Sequence, residues 1–101
     1  MTIKEFKAIL KTTGLPAAYR FFKSEQKAPY IVFSSAGSNN ISADNKVYAA
    51  FNKVRVDLYC DKKDIQTEQK IENALSDFYY EKSEDYIDSL KMIQIIYEME
   101  I

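Results

Sequence analysis

The chain has 101 residues, a length that suits one domain around one core and is too short for two ordinary ones. Hydrophobic residues make up 47% and charged residues 29%, a globular balance; no apolar run could span a bilayer and no secretory core opens the chain, so a soluble single domain is expected. The formal net charge of -1 by itself says nothing about partners, although an acidic domain without a basic helix does not suit tight nucleic-acid binding, and a single cysteine excludes an internal disulfide.

In chain order, Thr2-Ile3-Lys4-Glu5 has the form of a capping box. Ile3, Phe6, Ile9 and Leu10 then make an apolar stripe with Lys4, Lys7 and Lys11 outside it, and Gly14 followed by Pro16 stops the helix near Thr13. Residues 17–22 form a β-prone run, with Tyr19 and Phe21 set against Ala18, Arg20 and Phe22, which suggests a strand with some cover on both sides. After a polar turn over 24–29, residues 30–33 make a short apolar strand, and the pattern predicts that the two pair as a hairpin with a longer loop. Residues 34–46 contain one large apolar residue, Ile41, and are expected to be a long polar loop, either an inert tip or a segment that meets a partner.

Val47, Ala49 and Phe51 occupy odd positions, whereas Val54, Val56, Leu58 and Cys60 occupy even ones. The phase slips near Asn52, through a β-bulge or through a change from two buried faces to one. From Lys53 to Cys60 the alternation is unbroken, with Lys53, Arg55, Asp57 and Tyr59 on the outward side of a half-buried strand. Asp61-Lys62-Lys63-Asp64 then leads into a helix carrying Ile65, Ile71, Ala74, Leu75 and Phe78, capped by either aspartate. Residues 79–89 are acidic and rich in tyrosine, and fit a short strand or an irregular connection. The closing segment alternates again, with Ile93, Ile95, Tyr97, Met99 and Ile101 on one face, so the second helix connects two strands of one sheet.

The charge is unevenly spread. Residues 1–55 hold nine Lys/Arg against three Asp/Glu, and residues 56–101 hold five against twelve. If the two halves occupy different surfaces, one copy can present a basic side to the acidic side of the next; if the fold interleaves them, the asymmetry averages out.

Catalytic groups are scarce. The chain has no histidine, and its one cysteine falls on the inward side of a strand, where it reads as a small packing residue. Two glycines leave no glycine-rich phosphate loop. Glu81, Glu84, Asp85 and Asp88 form a run that reads as a solvated face. An enzyme is therefore not expected, and neither a metal nor a cofactor is called for. Eight tyrosines suit either a tyrosine-containing core or a protein interface.

Several blocks, namely Gly14-Leu15-Pro16-Ala17-Ala18-Tyr19, Pro29-Tyr30-Ile31-Val32-Phe33, Ala43-Asp44-Asn45-Lys46-Val47-Tyr48, Leu58-Tyr59-Cys60-Asp61-Lys62-Lys63-Asp64 and the closing strand, make the chain resemble the tail-completion, or tail-to-head joining, proteins. These are small structural proteins of long-tailed phages and prophages of Gram-positive bacteria, more distantly similar to the tail terminator of phage lambda. Family members more often carry Thr at the position of Cys60, which agrees with a packing role.

The elements read above, in α-β-β-β-α-β order, make a single mixed, mostly antiparallel sheet of about four strands with two helices; the resemblance implies the same class, an α+β fold with a sheet covered by two helices. It further implies a virion protein at the head–tail junction, present in the host cytoplasm during assembly. Such a protein would cap the tail tube as a hexameric ring, dock the head connector proteins and pass DNA without sequence-specific contact. In that assembly, Ser38, Asn39, Asn40, Asp44 and Lys46 would meet the tail tube, a neighbouring subunit or the lumen, and Lys53, Arg55, Asp57 and Tyr59 would form a subunit interface. A small ligand-binding or regulatory α+β domain of the cytoplasm is the alternative, since the same layers host many functions.

Overall fold

A computed structural model describes the backbone of residues 1–43 and 46–101 and the side chains of 1–35, 37 and 52–101. Helix α1 (Ile3–Lys11) opens with the capping box its sequence predicts: the Glu5 N–H donates to Thr2 Oγ1 and the Thr2 N–H donates to Glu5 Oε1, both at 3.1 Å. Gly14, at φ 80, makes the left-handed turn that follows. Strands β1 (Ala17–Tyr19), β2 (Tyr30–Ala43) and β3 (Lys46–Cys60) precede helix α2 (Ile65–Ala74), and β4 (Tyr80–Ile87) and β5 (Met92–Glu100) follow it.

The five strands form one sheet in the order β1-β2-β3-β5-β4, antiparallel except for the β1–β2 pair. The expected mixed, mostly antiparallel sheet with two helices is therefore present, with five strands where about four were expected. The extra strand is β4, drawn from the acidic segment 79–89. No residue of β4 is buried, as suits an outermost strand, and its polarity hides it from a reading based on apolar alternation.

Both helices lie on one face of the sheet. Phe6 and Leu10 of α1 and Ile71 and Leu75 near α2 close over Ile31, Phe33, Val54, Val56, Leu58, Ile95 and Tyr97, all 0–1% exposed, with Cys60 and Met99 at the margin. The inward alternation read from β3 and β5 is thus the core itself. Phe6 sits edge-on to both Phe33 and Phe78, with ring centroids 6.2 and 5.9 Å apart, a geometry that suits the ring quadrupoles.

Three sequence expectations need correction. The strand over 17–22 does not form a hairpin with β2: only Ala17–Tyr19 pairs, and in parallel. Arg20, at φ 68, turns the chain out of the sheet, and residues 20–29 carry it back to begin β2 alongside β1, the return that a parallel pair requires. Ile65 does not belong to the buried stripe of α2, being 61% exposed, whereas Thr67 and Glu68 are buried with Ile71. It occupies the first turn, directly after the cap at Asp64, on the side turned from the sheet. Finally, the polar loop over 34–46 is, over its described residues, strand: β2 runs to Ala43 and β3 starts at Lys46, paired from Ser35↔Val54 to Ala43↔Lys46. Ladder bonds join backbone groups, so a strand pair without a core to face needs no apolar alternation.

Register shifts fall between Ser35 and Gly37 on β2 and between Ile41 and Ser42, opposite Ala49 and Val47. The first shift skips residue 36 of β2, so β3 itself carries no bulge at Asn52; the residue skipped on β3 is 48. The ladder between β3 and β5 ends at Lys53↔Glu100, and Asn52 and Ile101 exchange backbone bonds of 3.3 and 2.8 Å just beyond it. From there outward the described hairpin has two strands only.

Candidate interaction surface

With both helices on one face, the other face of the sheet carries no helix among the described residues, and the link after β1 meets it around Tyr30. Register places Ser34, Arg55, Glu98 and Glu81 in one row across it, Val32, Asp57, Ile96 and Ser83 in the next, and Tyr30, Tyr59, Gln94 and Asp85 in a third. All four residues expected at a subunit interface, Lys53, Arg55, Asp57 and Tyr59, lie on this face, but their environments differ. Lys53 is exposed and Arg55 half-buried. Asp57, expected to point into solvent, is only 8% exposed, because its short side chain sits between Val32 and Ile96 of the neighbouring strands.

Arg55 Nε donates to Asp57 Oδ1 at 2.8 Å. Burial pushes the Asp57 carboxyl above its ordinary range, and the Arg55 bond only partly offsets it; the same bond raises the Arg55 guanidinium. Tyr59 stacks on Tyr30 with centroids 5.1 Å apart and accepts a 3.3 Å hydrogen bond from Gln94 Nε2. Burial raises its hydroxyl pKa. Next to this pair, Phe22 stands edge-on to Tyr30 at 5.6 Å. Phe21, Phe22, Tyr30, Tyr59, Leu90 and Met92 line a groove of about 480 Å³. Arg20 and Ile87 also line it, and Phe21 and Leu90 are 68% and 56% exposed.

Sequence reasoning missed this groove. The signal was the strand over 17–22 with no polar face: its last two aromatics leave the sheet and line the groove. Also missed was a charged network between α2 and β4. Glu68, 2% exposed, holds Lys63 at 3.0 Å and Lys82 at 2.9 Å. Lys82 further bonds Glu72 at 2.8 Å, Glu72 accepts from the Tyr97 hydroxyl at 2.8 Å, and Lys63 also reaches Glu84. Burial alone would raise the Glu68 carboxyl, but the bonds from Lys82 and Lys63 outweigh it and hold the pKa below the ordinary value. Burial, and then the bond to Glu72, raise that of Tyr97.

The second group of expected site residues stands apart from the first. Ser38, Asn39, Asn40 and Lys46 are on the hairpin, paired with Asn52, Phe51, Ala50 and Ala43, and their side chains, like all of Asp44, lie outside the described residues. The structure therefore places the two groups at successive stations of one hairpin and does not gather them into one site.

The one thiol among the described residues is enclosed. The Cys60 thiol is 4% exposed, and burial, with Asp64 and Glu68 nearby, pushes its pKa up to about 11; a thiol so held is a poor nucleophile. Among the described residues no group of three or more carboxylates and thiols is placed to hold a metal ion, and no helix is long and apolar enough to cross a membrane. What the surface offers is shape, aromatic rings and charge.

No protein-family model and no curated protein matches the chain. Among solved structures, it is similar to a chain of the virion of a native gene transfer agent particle, with a TM-score of 0.64 and 13% identity, over 92% of this chain and 82% of that one. At this identity the likeness is one of fold.

Proposed function

We propose that the protein is a structural component of a phage-like virion and works at the head–tail junction. The observation that carries this reading is the fold shared with a virion chain over 92% of the sequence. It is supported by a helix-free sheet face bearing aromatic rings and charge. In this role the protein caps the tail tube as an oligomeric ring, six copies being the expected number, and offers the surface on which the head connector docks. DNA passes through the lumen without sequence-specific contact. Its work is geometric and needs no bond chemistry, metal or cofactor.

Within the ring, Lys53, Arg55 and Tyr59 contribute to contacts made by the helix-free face, with Asp57 holding Arg55 in place. Ser38, Asn39, Asn40 and Lys46 are carried on the hairpin beyond the third strand, and together with Asp44 they meet the tail tube, a neighbouring subunit or the lumen. A two-stranded ribbon is marginal alone in water, so a partner that packs on it has a physical reason to be there.

The test is deletion of the coding sequence from the genome that carries it, followed by electron microscopy of the released particles. Filled heads separated from tails, or tails of irregular length, are expected. Normal tailed particles in undiminished number would overturn the reading.

A further inference from the structure

The unequal charge of the two halves of the chain becomes unequal charge of the two edges of the sheet. In the order β1-β2-β3-β5-β4, strands from residues 17–60 occupy one side and strands from residues 80–100 the other. At the β1 edge, the link after Tyr19 exposes Arg20, Phe21, Lys23 and Lys27, with Glu25 as its one acid. At the β4 edge, Glu81 and Asp85 are exposed beside Tyr86, while Glu84 is held by Lys63. The one base of that strand, Lys82, turns its charge inward to Glu68 and Glu72.

The β4 edge is also unpaired. Its eight residues bond to β5 on one side, and among the described residues no strand covers the other, which leaves a row of backbone donors and acceptors facing outward. Phe21 at one edge and Tyr86 at the other, 68% and 51% exposed, give each edge an apolar contact among its charges, the composition of a surface that becomes buried on association.

Resting on the reading that copies of this chain join one another, we infer that the β4 edge of one copy docks on the rim formed by Arg20, Phe21 and Lys23 of the next. Ile87 at the end of β4 shares a groove with Arg20 and Phe21, but among the described residues no ion pair joins Arg20 or Lys23 to Glu81 or Asp85 within one chain, so these opposite charges are left to meet across copies. A contact between unlike edges is heterologous, and repeated around an axis it closes a ring. The occupant of the basic rim is therefore a second copy.

Light scattering of the full chain over a concentration series tests this with charge reversal. Variants R20D/K23E and E81K/D85K each reverse one edge; aspartate is chosen at Arg20 because its φ of 68 is better tolerated by Asp than by Glu. Each double variant is expected to weaken self-association about tenfold or more, since like charges then face each other. The chain carrying all four substitutions regains association to within about threefold of the original, because its edges are again opposite in sign. An equimolar mixture of the double variants recovers likewise.

Double variants that assemble like the original would overturn the edge assignment while leaving the ring intact. A four-fold variant that melts normally by circular dichroism yet stays dissociated would also overturn it, as would an original chain that remains monomeric at every concentration. In none of these cases does the particle phenotype of the deletion change, so the virion reading is judged separately.

Discussion

Asp57 and Glu68 are both carboxylates withdrawn from water, and they respond to acid in opposite directions. Asp57 has its pKa raised above the ordinary 3.8, burial being the largest cause. Its ionised form therefore opposes folding, and the stability it contributes when protonated is lost as the pH rises through its folded pKa. Asp57→Asn is expected to leave stability at pH 7 unchanged or slightly higher, within about 1 kcal/mol, whereas Arg55→Ala, which strands the carboxylate, costs about 1–2 kcal/mol in urea denaturation. Glu68 has its pKa lowered from the ordinary 4.5 because Lys82 and Lys63 outweigh burial. Its contribution is complete above pH 4.5 and is lost as the pH falls through the folded value. Glu68→Gln should cost about 1–3 kcal/mol at pH 7, discounted because both lysines are partly exposed, and should flatten the loss of stability below pH 4.5. Urea midpoints for both proteins between pH 3 and 7 check this; parallel curves would refute it. Neither carboxylate's burial was legible in the sequence. Alternation put Asp57 on the correct face, but only the neighbouring strands show that a face without helices can still bury a short side chain. Glu68 shares the helical spacing of Ile71 and Leu75, and its charge masked that signal.

At the scale of elements, the sequence left two aspartates able to cap α2, and the structure chooses Asp64. The Thr67 N–H donates to Asp64 Oδ1 at 3.1 Å and the Thr67 hydroxyl to Oδ2 at 2.7 Å; the Thr67 hydroxyl bond is the first cause of the lowered Asp64 pKa. Asp64→Ala should lower Tm by roughly 4–8 °C, the loss expected for one helix cap in a domain of this size. Asp61→Ala should shift it by less than about 2 °C. Scanning calorimetry of the two variants compares them directly, and equal losses would remove Asp64 from the capping role. The elements best read from sequence, α1, β3, α2 and β5, each press one face on the core, so burial imposes a period on them. Strand β4 has no buried residue to impose one, and the outer part of the β2–β3 hairpin runs past the third strand, so both were hidden. The direction of β1 was hidden for another reason: it depends on where residues 20–29 carry the chain, and no period in β1 itself records that.

For the whole molecule, core and outreach are separated along one hairpin. The buried set ends at Val54 and Met99, and the last cross-sheet support is the backbone exchange between Asn52 and Ile101. Folding and partner contact should therefore be separable. Replacing residues 39–51 by Asn-Gly, so that Ser38 and Asn52, which already pair, are joined by a two-residue turn, keeps every described core residue and supplies the turn type such a hairpin prefers. The shortened protein is expected to melt cooperatively within roughly 5 °C of the original, as a change that removes no core contact should. If the hairpin carries the contact with the tail tube, the same protein fails to co-sediment with purified tails. A shortened chain that unfolds would mean that the hairpin belongs to the folding unit, and one that folds and still binds tails would move the contact to the helix-free sheet face. The charge reversals leave the hairpin whole and the truncation leaves both sheet edges whole, so the pair of experiments assigns copy-to-copy contact and tail contact to different parts of one small fold.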